Sequence, residues 1–292
     1  MIFDLCPLSL ERGHILILRD SMEKKNFKQI NKKNIYKVML VVFLIGFVVS
    51  LGVIVYDFYT RWLAEKQIQQ LSGNDTETEA VIEDTEVEED VLARLGIDVP
   101  EKNLDWDLLK ETNPDIYAWI YIPNTKVDYP ILQSSKDDTY YLNHDINGNK
   151  NSEGSIFTEG KYNGTDFTDF NTLVYGHNMK AKTMFATLHS FEDASFFEEN
   201  RYVFVYTPDK VLVYDIFAAY TFSDVHILAN YSTVSDEGKQ QYLEDVFGVR
   251  DMQAHYREGV EVTVNSHLLT LSTCIGGQPN NRYLVQAVLI EE

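Results

Sequence analysis

The sequence predicts a mainly β domain, an antiparallel barrel or sandwich, carried behind one membrane-spanning helix. Three observations lead there. Nineteen residues, Val38 to Tyr56, pass without a charge. Eight short apolar, β-branched and aromatic runs follow residue 100, separated by turn clusters. One longer excursion, residues 222–258, breaks their spacing and holds a helical pattern.

The uncharged run is long enough, at about 1.5 Å per residue, to cross a hydrocarbon core of roughly 30 Å. It is long for a cleaved signal peptide, and no Ala-x-Ala-like site follows it. Residues 1–37 hold eight Lys/Arg against four acids. That bias predicts a single-pass membrane protein with a cytoplasmic N-terminus and everything after Tyr56 outside the cell. Met22-Glu23-Lys24-Lys25 reads as a natural start, so residues 1–21 carry no functional weight here. Arg61–Leu71 continues the helical pattern, and residues 72–90 then hold nine carboxylates with no Lys or Arg. Such a stretch predicts a solvated stalk. The expected organisation is a cytoplasmic segment 1–37, an anchor 38–56, an acidic stalk 57–100 and a folded domain 101–292.

In the folded part, Leu104–Glu111 reads as a short helix with Asn103 as its cap and Pro114 beyond its end. The strand candidates are Ala118–Ile122, Gly154–Phe157, Thr172–Tyr175, Tyr202–Tyr206, Val211–Tyr220, Val260–Val264, Leu268–Thr273 and Tyr283–Ile290. Pro208-Asp209-Lys210 and Asn265-Ser266 are expected to turn hairpins. Within the excursion, Ser235–Phe247 predicts a helix capped by Ser235, with Tyr242, Val246 and Phe247 on its apolar face.

Composition narrows the function. A formal net charge of -20 excludes a phosphate-backbone partner, which needs a basic footprint. The seven histidines lack ligand spacing and the extracellular cysteine is single, so neither a metal nor another cofactor is expected. Cys6 and Cys274 are the only cysteines, and the topology puts them on opposite sides of a membrane. Cys274 is then an unpaired thiol in an oxidising compartment: a structural residue, an intermolecular cross-link or a nucleophile.

Two segments favour the nucleophile. Thr172–Met179 is a strand running into a Gly turn that presents His177, and Leu268–Cys274 is a strand ending in the thiol. Seven residues then lead to a strand opening with Arg282. If these last two strands pair antiparallel, Cys274 and Arg282 flank one loop and can face one cleft. A thiol with an ordinary pKa of about 8.5 is a weak nucleophile at neutral pH without a cation beside it. An imidazole can exchange the proton, and a guanidinium can bind a carbonyl and the oxyanion that develops from it.

On these residues the chain resembles the sortase family, and class B within it. Thr270-Leu271-Ser272-Thr273-Cys274 is similar to the family's nucleophile signature, Tyr175-Gly176-His177-Asn178 to its histidine segment, and Arg282 to its arginine. Ile116–Ile120, Val127–Pro130, Tyr140–Asp145 and Gly154–Phe157 resemble class B segments, and the resemblance covers roughly residues 101–292. It implies a sortase-type eight-stranded β-barrel with N-terminal helices and a helix inserted before the catalytic strand. It implies a cysteine transpeptidase of the Gram-positive cell surface, with secreted proteins carrying a sorting-signal peptide as substrates. A peptidoglycan precursor or another amine would accept the acyl group. By the same resemblance His177, Cys274 and Arg282 are catalytic, and Leu142, Tyr175 and Ser272 line the peptide groove. The short loop between Cys274 and Arg282 departs from the family pattern and leaves the sorting motif open.

Two other readings remain at this stage. One is a secreted cysteine protease that releases its product to water, although a papain-like order runs Cys before His and here His177 precedes Cys274 by 97 residues. The other is a non-catalytic, membrane-tethered binding module.

Overall fold

Helix α1 (Lys32–Leu71) contains the uncharged run, and its most apolar window reaches a mean hydropathy of 3.1 with none of it buried in protein. It is a candidate membrane span by length and composition. The computed structural model describes residues 32–73, 92 and 94–290. The N-terminal segment to residue 31, with Cys6, and stalk residues 74–91 lie outside the described residues.

The chain divides into two compact units, Met1–Thr60 and Arg61–Glu292. The second therefore takes in residues expected in the stalk. Ile68 and Leu71 are buried in its core. Arg61 Nη1 lies 3.4 Å from Glu153 Oε1, and Asn147 Nδ2 donates to Gln67 Oε1 at 2.7 Å. A short helix, α2 (Trp106–Thr112), follows. Its cap is Asp105, whose side chain accepts from the Leu108 N–H, rather than Asn103.

The strands are β1 (Ile116–Tyr121), β2 (Asp128–Gln133), β3 (Ile156–Thr158), β4 (Asn171–Tyr175), β5 (Tyr202–Tyr206), β6 (Val211–Ser223), β7 (His255–Tyr256), β8 (Leu268–Ile275) and β9 (Gln278–Leu289). They pair in the order β5-β1-β2-β3-β4-β8-β9-β6-β7, and a further β5–β6 pairing closes the ring. The result is an eight-stranded closed barrel with the short β7 attached outside it on β6, in accord with the expected architecture. Helix α3 (Ala194–Glu199) precedes β5. Helices α4 (Ile227–Asn230) and α5 (Asp236–Gly248) fill the excursion before β8, and Ser235 caps α5 by accepting from the Gly238 N–H.

Three local expectations are corrected. Val260–Val264 forms no strand. Thr263 and Ser266 bond each other in a turn, and Val260, Val262 and Val264 pack half-buried under α5 instead of entering a sheet. Asn265-Ser266 consequently joins no hairpin. Phe247 is 42% exposed, and Leu243 joins Tyr242 and Val246 on the buried face of α5. The sheet is also not wholly antiparallel, since β2 with β3 and β4 with β8 run parallel. Both pairs are separated by connections long enough for a crossover, which parallel pairing requires.

Strand β2, absent from the strands expected above, holds Pro130. That proline is opposite Trp119 of β1, while pairing to β3 begins at Ile131, so its missing N–H takes no bond from the second ladder. Across β4, β8 and β9 both faces are covered. Val174, Leu271, Tyr283 and Val285 turn into the barrel, and Leu173, Leu268, Leu284 and Val288 turn towards α5. Burial on both faces explains the near-continuous apolar run at 268–271.

Candidate active site

Strands β4 and β8 lie side by side with Tyr175 level with Ser272. Two residues further on, past the end of β4, comes His177. Two residues further along β8 comes Cys274. The Gly176 N–H donates to the Ser272 carbonyl at 3.1 Å, so pairing persists beyond the strand end. A Cβ at Gly176 would lie 2.5 Å from Phe185 and 2.6 Å from Ile156, which explains the glycine next to the histidine.

Cys274 stands directly opposite Arg282 across the β8–β9 hairpin. Directly opposed side chains of an antiparallel pair have Cβ atoms roughly 4.5–5.5 Å apart. Thr270, Ser272 and Cys274 alternate onto the same face as Gln286, Leu284 and Arg282, the face that α5 covers further down. The expected seven-residue loop is mostly strand: β8 runs to Ile275, β9 opens at Gln278, and Gly276-Gly277 make the turn, with Gly277 at φ +77°. Side chains stiffen this end. Arg282 Nη1 donates to the carbonyls of Pro279 at 3.0 Å and Asn281 at 2.9 Å, and Asn281 Nδ2 donates to Gln278 Oε1 at 2.7 Å.

His177 Nε2 lies 2.7 Å from the Leu142 carbonyl. A carbonyl only accepts, so Nε2 carries the proton and Nδ1 is the nitrogen without a partner among the described residues. The Cys274 carbonyl accepts from Asn178 Nδ2 at 2.9 Å, and His189 Nε2 lies 3.0 Å from that carbonyl and 2.9 Å from Asn178 Nδ2. His189 Nδ1 is 2.6 Å from Glu192 Oε1, and its ring stacks on Tyr283 at 5.1 Å.

A cleft of about 230 Å³ runs over this assembly. All six residues singled out from the sequence line it: His177, Cys274 and Arg282 with Leu142, Tyr175 and Ser272. Cys274 is exposed, and Ser272 is buried. Six further residues also line it: Thr139, Phe157, Glu159, Gly176, His226 and Thr273. His226 and His189 were two of seven histidines with no local pattern to mark them. Tyr175 Oη is 3.2 Å from Glu159 Oε2. Burial, and then the adjacent Glu159 carboxylate, push the Tyr175 phenol up, so it stays a donor at neutral pH.

A family model described as the sortase domain matches residues 120–290, more than half of the chain. Sortase B of Listeria monocytogenes is 37% identical over 169 residues, 57% of this chain. The match spans 65% of that protein's own length, just under two thirds. The X-ray structure of Clostridium perfringens sortase B aligns with a TM-score of 0.58 at 34% identity, over 64% of this chain and 100% of that one. A Staphylococcus aureus sortase B–substrate complex gives 0.55 at 29% identity, over 64% of this chain and 84% of that one. With the family model reaching from the end of β1 to beyond β9, the chain belongs to the sortase family, beside its class B proteins.

Proposed function

We propose that the protein is a membrane-anchored cysteine transpeptidase that cleaves the sorting signal of secreted proteins and joins the product to an amine. The observation that carries this reading is the cross-strand pair Cys274–Arg282 in one cleft with His177.

The Cys274 sulfur attacks the carbonyl carbon of the scissile peptide bond, and a C–S bond forms. The carbonyl electrons move onto oxygen, where Arg282 is the nearest permanent cation on the same hairpin. One of its terminal nitrogens holds the turn carbonyls, and its other N–H groups take no partner among the described residues, so they are available to that oxygen. His177 exchanges the proton through Nδ1, its Nε2–H being engaged by Leu142. As the C–N bond breaks, the leaving amine takes that proton, leaving a thioester on Cys274. An acceptor amine then attacks the thioester, loses a proton to His177 and displaces the thiol. The acyl group has changed amines, and the enzyme is regenerated.

The eight Lys/Arg in residues 1–37 support a cytoplasmic N-terminus, with the barrel outside and tethered by α1. The acceptor is a peptidoglycan precursor or another amine of the cell surface, and Leu142, Tyr175 and Ser272 contact the peptide.

The test uses the full chain in detergent with sorting-signal peptides, with and without an added oligoglycine amine. Mass spectrometry should find an acyl adduct on Cys274 and, with amine present, a ligated product. Cys274→Ala and His177→Ala should each abolish both. Hydrolysis unaffected by amine would replace the reading with a protease, and surface anchoring unchanged by Cys274→Ala in cells would replace it with a binding module.

A further inference from the structure

Cys274 is also held from behind, through its main chain, by groups that the proposed chemistry does not use. Residues Phe185–Glu192 form a 3-10 segment, which Phe185, Leu188 and Phe191 bury in the core. The first residue of that segment holds one reactive group, since the Phe185 N–H donates to the His177 carbonyl at 3.0 Å. His189, one turn before its end, reaches the other. The His189 ring is mostly buried and stacks on Tyr283 of β9.

Its partners assign the protons. Glu192 Oε1, 2.6 Å from His189 Nδ1, is a carboxylate oxygen and accepts, so Nδ1 carries the ring proton. Nε2 is then bare, and the Asn178 amide donates to it at 2.9 Å. The same Nδ2 lies 2.9 Å from the Cys274 carbonyl. An amide nitrogen has two hydrogens, so Asn178 gives one to the ring and one to the carbonyl. An amide oxygen in that place would face two acceptors with no proton between them, which fixes the orientation of the amide. Glu192 thus sets the tautomer of the ring, the ring sets the amide, and the amide holds the carbonyl of the nucleophile. Asn178 directly follows His177, so one side chain ties the imidazole's segment to the thiol's strand.

We propose that His189 is a positioning residue for the acyl transfer: through Asn178 it fixes the Cys274 main chain relative to His177, in the tautomer that Glu192 imposes. The inference rests on the transpeptidase reading of the cleft. Asn178, His189 and Glu192 all lie outside the cleft lining. The ring stacks on Tyr283, which turns into the barrel, whereas the Cys274 side chain shares the opposite face with Arg282. The three residues therefore act on the backbone that aims the thiol and leave the peptide groove to other side chains.

The test measures kcat and KM for ligation of a sorting-signal peptide to oligoglycine by the full chain in detergent. His189→Phe keeps an aromatic ring against Tyr283 and removes both ring nitrogens. It should lower kcat on the order of 10- to 100-fold, the scale of a misplacement of about 1 Å between reacting groups, and leave KM near its wild-type value. His189→Gln, which still offers Asn178 an acceptor, should recover most of the loss. Asn178→Ala should be at least as slow as His189→Phe, and the double variant no slower than Asn178→Ala alone, because the ring acts through the amide. Additive losses, a His189→Gln as slow as His189→Phe, or a change in KM alone overturns the role. Glu192, whose side chain is 39% exposed, carries the test should His189→Phe fail to fold. Glu192→Ala should lower kcat and Glu192→Gln, which keeps an acceptor, should lie above it; a Glu192→Ala equal to wild type overturns the role. Acyl adducts that form on Cys274 at the wild-type rate in every variant sink the positioning role alone, whereas no adduct with any peptide in the wild type sinks the transpeptidase reading and the role with it.

Discussion

Cys274 and Arg282 meet because backbone pairing puts them opposite each other, so the spacing of thiol and guanidinium depends little on side-chain reach. Arg282 also has two tasks. One nitrogen holds the carbonyls of Pro279 and Asn281, and in the proposed reaction the rest of the fork meets the substrate. Lysine keeps the charge but offers a single ammonium that cannot span both. Arg282→Lys is therefore expected to lower kcat/KM in the peptide–amine ligation assay by about 100-fold, the scale of one lost oxyanion donor. Near-normal kinetics would show that charge alone suffices. Gly176→Ala is a second residue-scale case. The new methyl would press on Phe185 and Ile156 beneath His177, neither of them able to swing into solvent. Overpacking of this kind costs about 1–3 kcal/mol, so a drop of several degrees in melting temperature should accompany loss of ligation. An unchanged melting temperature would mean that the core gives way more easily than its packing implies. The residues that share the cleft were legible in the sequence because two short segments and one arginine are local patterns. Glu159 and His226 were not, since 67 residues separate them and nothing local distinguishes either from an ordinary surface charge. Leu142 was legible only as a groove side chain, while its main-chain carbonyl is what engages His177.

At the scale of elements, the reactive strands are fastened from behind by a buried polar network. Thr270 Oγ1 of β8 donates to Asn171 Oδ1 of β4 at 2.8 Å, and Gln286 Nε2 of β9 donates to Thr270 Oγ1 at 3.1 Å. Asn171 Nδ2 donates to Tyr242 Oη of α5 at 3.1 Å, and Gln286 donates to the same hydroxyl. One phenol thus joins the inserted helix to three strands, two residues below the Tyr175–Ser272 level on the shared face. Tyr242→Phe would leave the Asn171 and Gln286 amides short of an acceptor in a dry site. The expected cost is about 1–3 kcal/mol, read as a lower urea midpoint with an unchanged slope in the unit from Arg61 onward. A midpoint equal to wild type would show that water replaces the hydroxyl. The sequence predicted α5 and its cap correctly because a Ser cap and an apolar face are local signals. It did not reveal the parallel pairing of β4 with β8, which joins residues almost a hundred positions apart. It also misread Val260–Val264, whose β-branched residues satisfy strand propensity but find their burial under a helix.

At the scale of the whole molecule, phenols dominate the titratable groups buried in the barrel and under α5. Burial is the first cause raising Tyr117, Tyr129, Tyr214, Tyr220, Tyr242 and Tyr283 above the ordinary phenol range. The sign of the pH dependence follows. Below about pH 10 both folded and unfolded chains keep these protons, so the phenols favour neither. Above it the unfolded chain releases them while the folded one retains them, so the folded state holds more protons and stability falls as pH rises. Each such phenol steepens the fall by up to about 1.4 kcal/mol per pH unit. The melting temperature should therefore hold from pH 7 to 9 and drop sharply above pH 10. The tyrosinate absorbance of the buried fraction should appear together with loss of the circular-dichroism signal, not ahead of it. Self-repulsion from a net charge of -20 predicts alkaline weakening too, but of a different kind. Repulsion is relieved by salt, whose screening length is about 3 Å at 1 M, and the proton linkage of a buried phenol is not. Melts at pH 10.5 in low and in 1 M salt separate the two. A loss of stability that survives salt belongs to the phenols, and one that salt abolishes belongs to the surface.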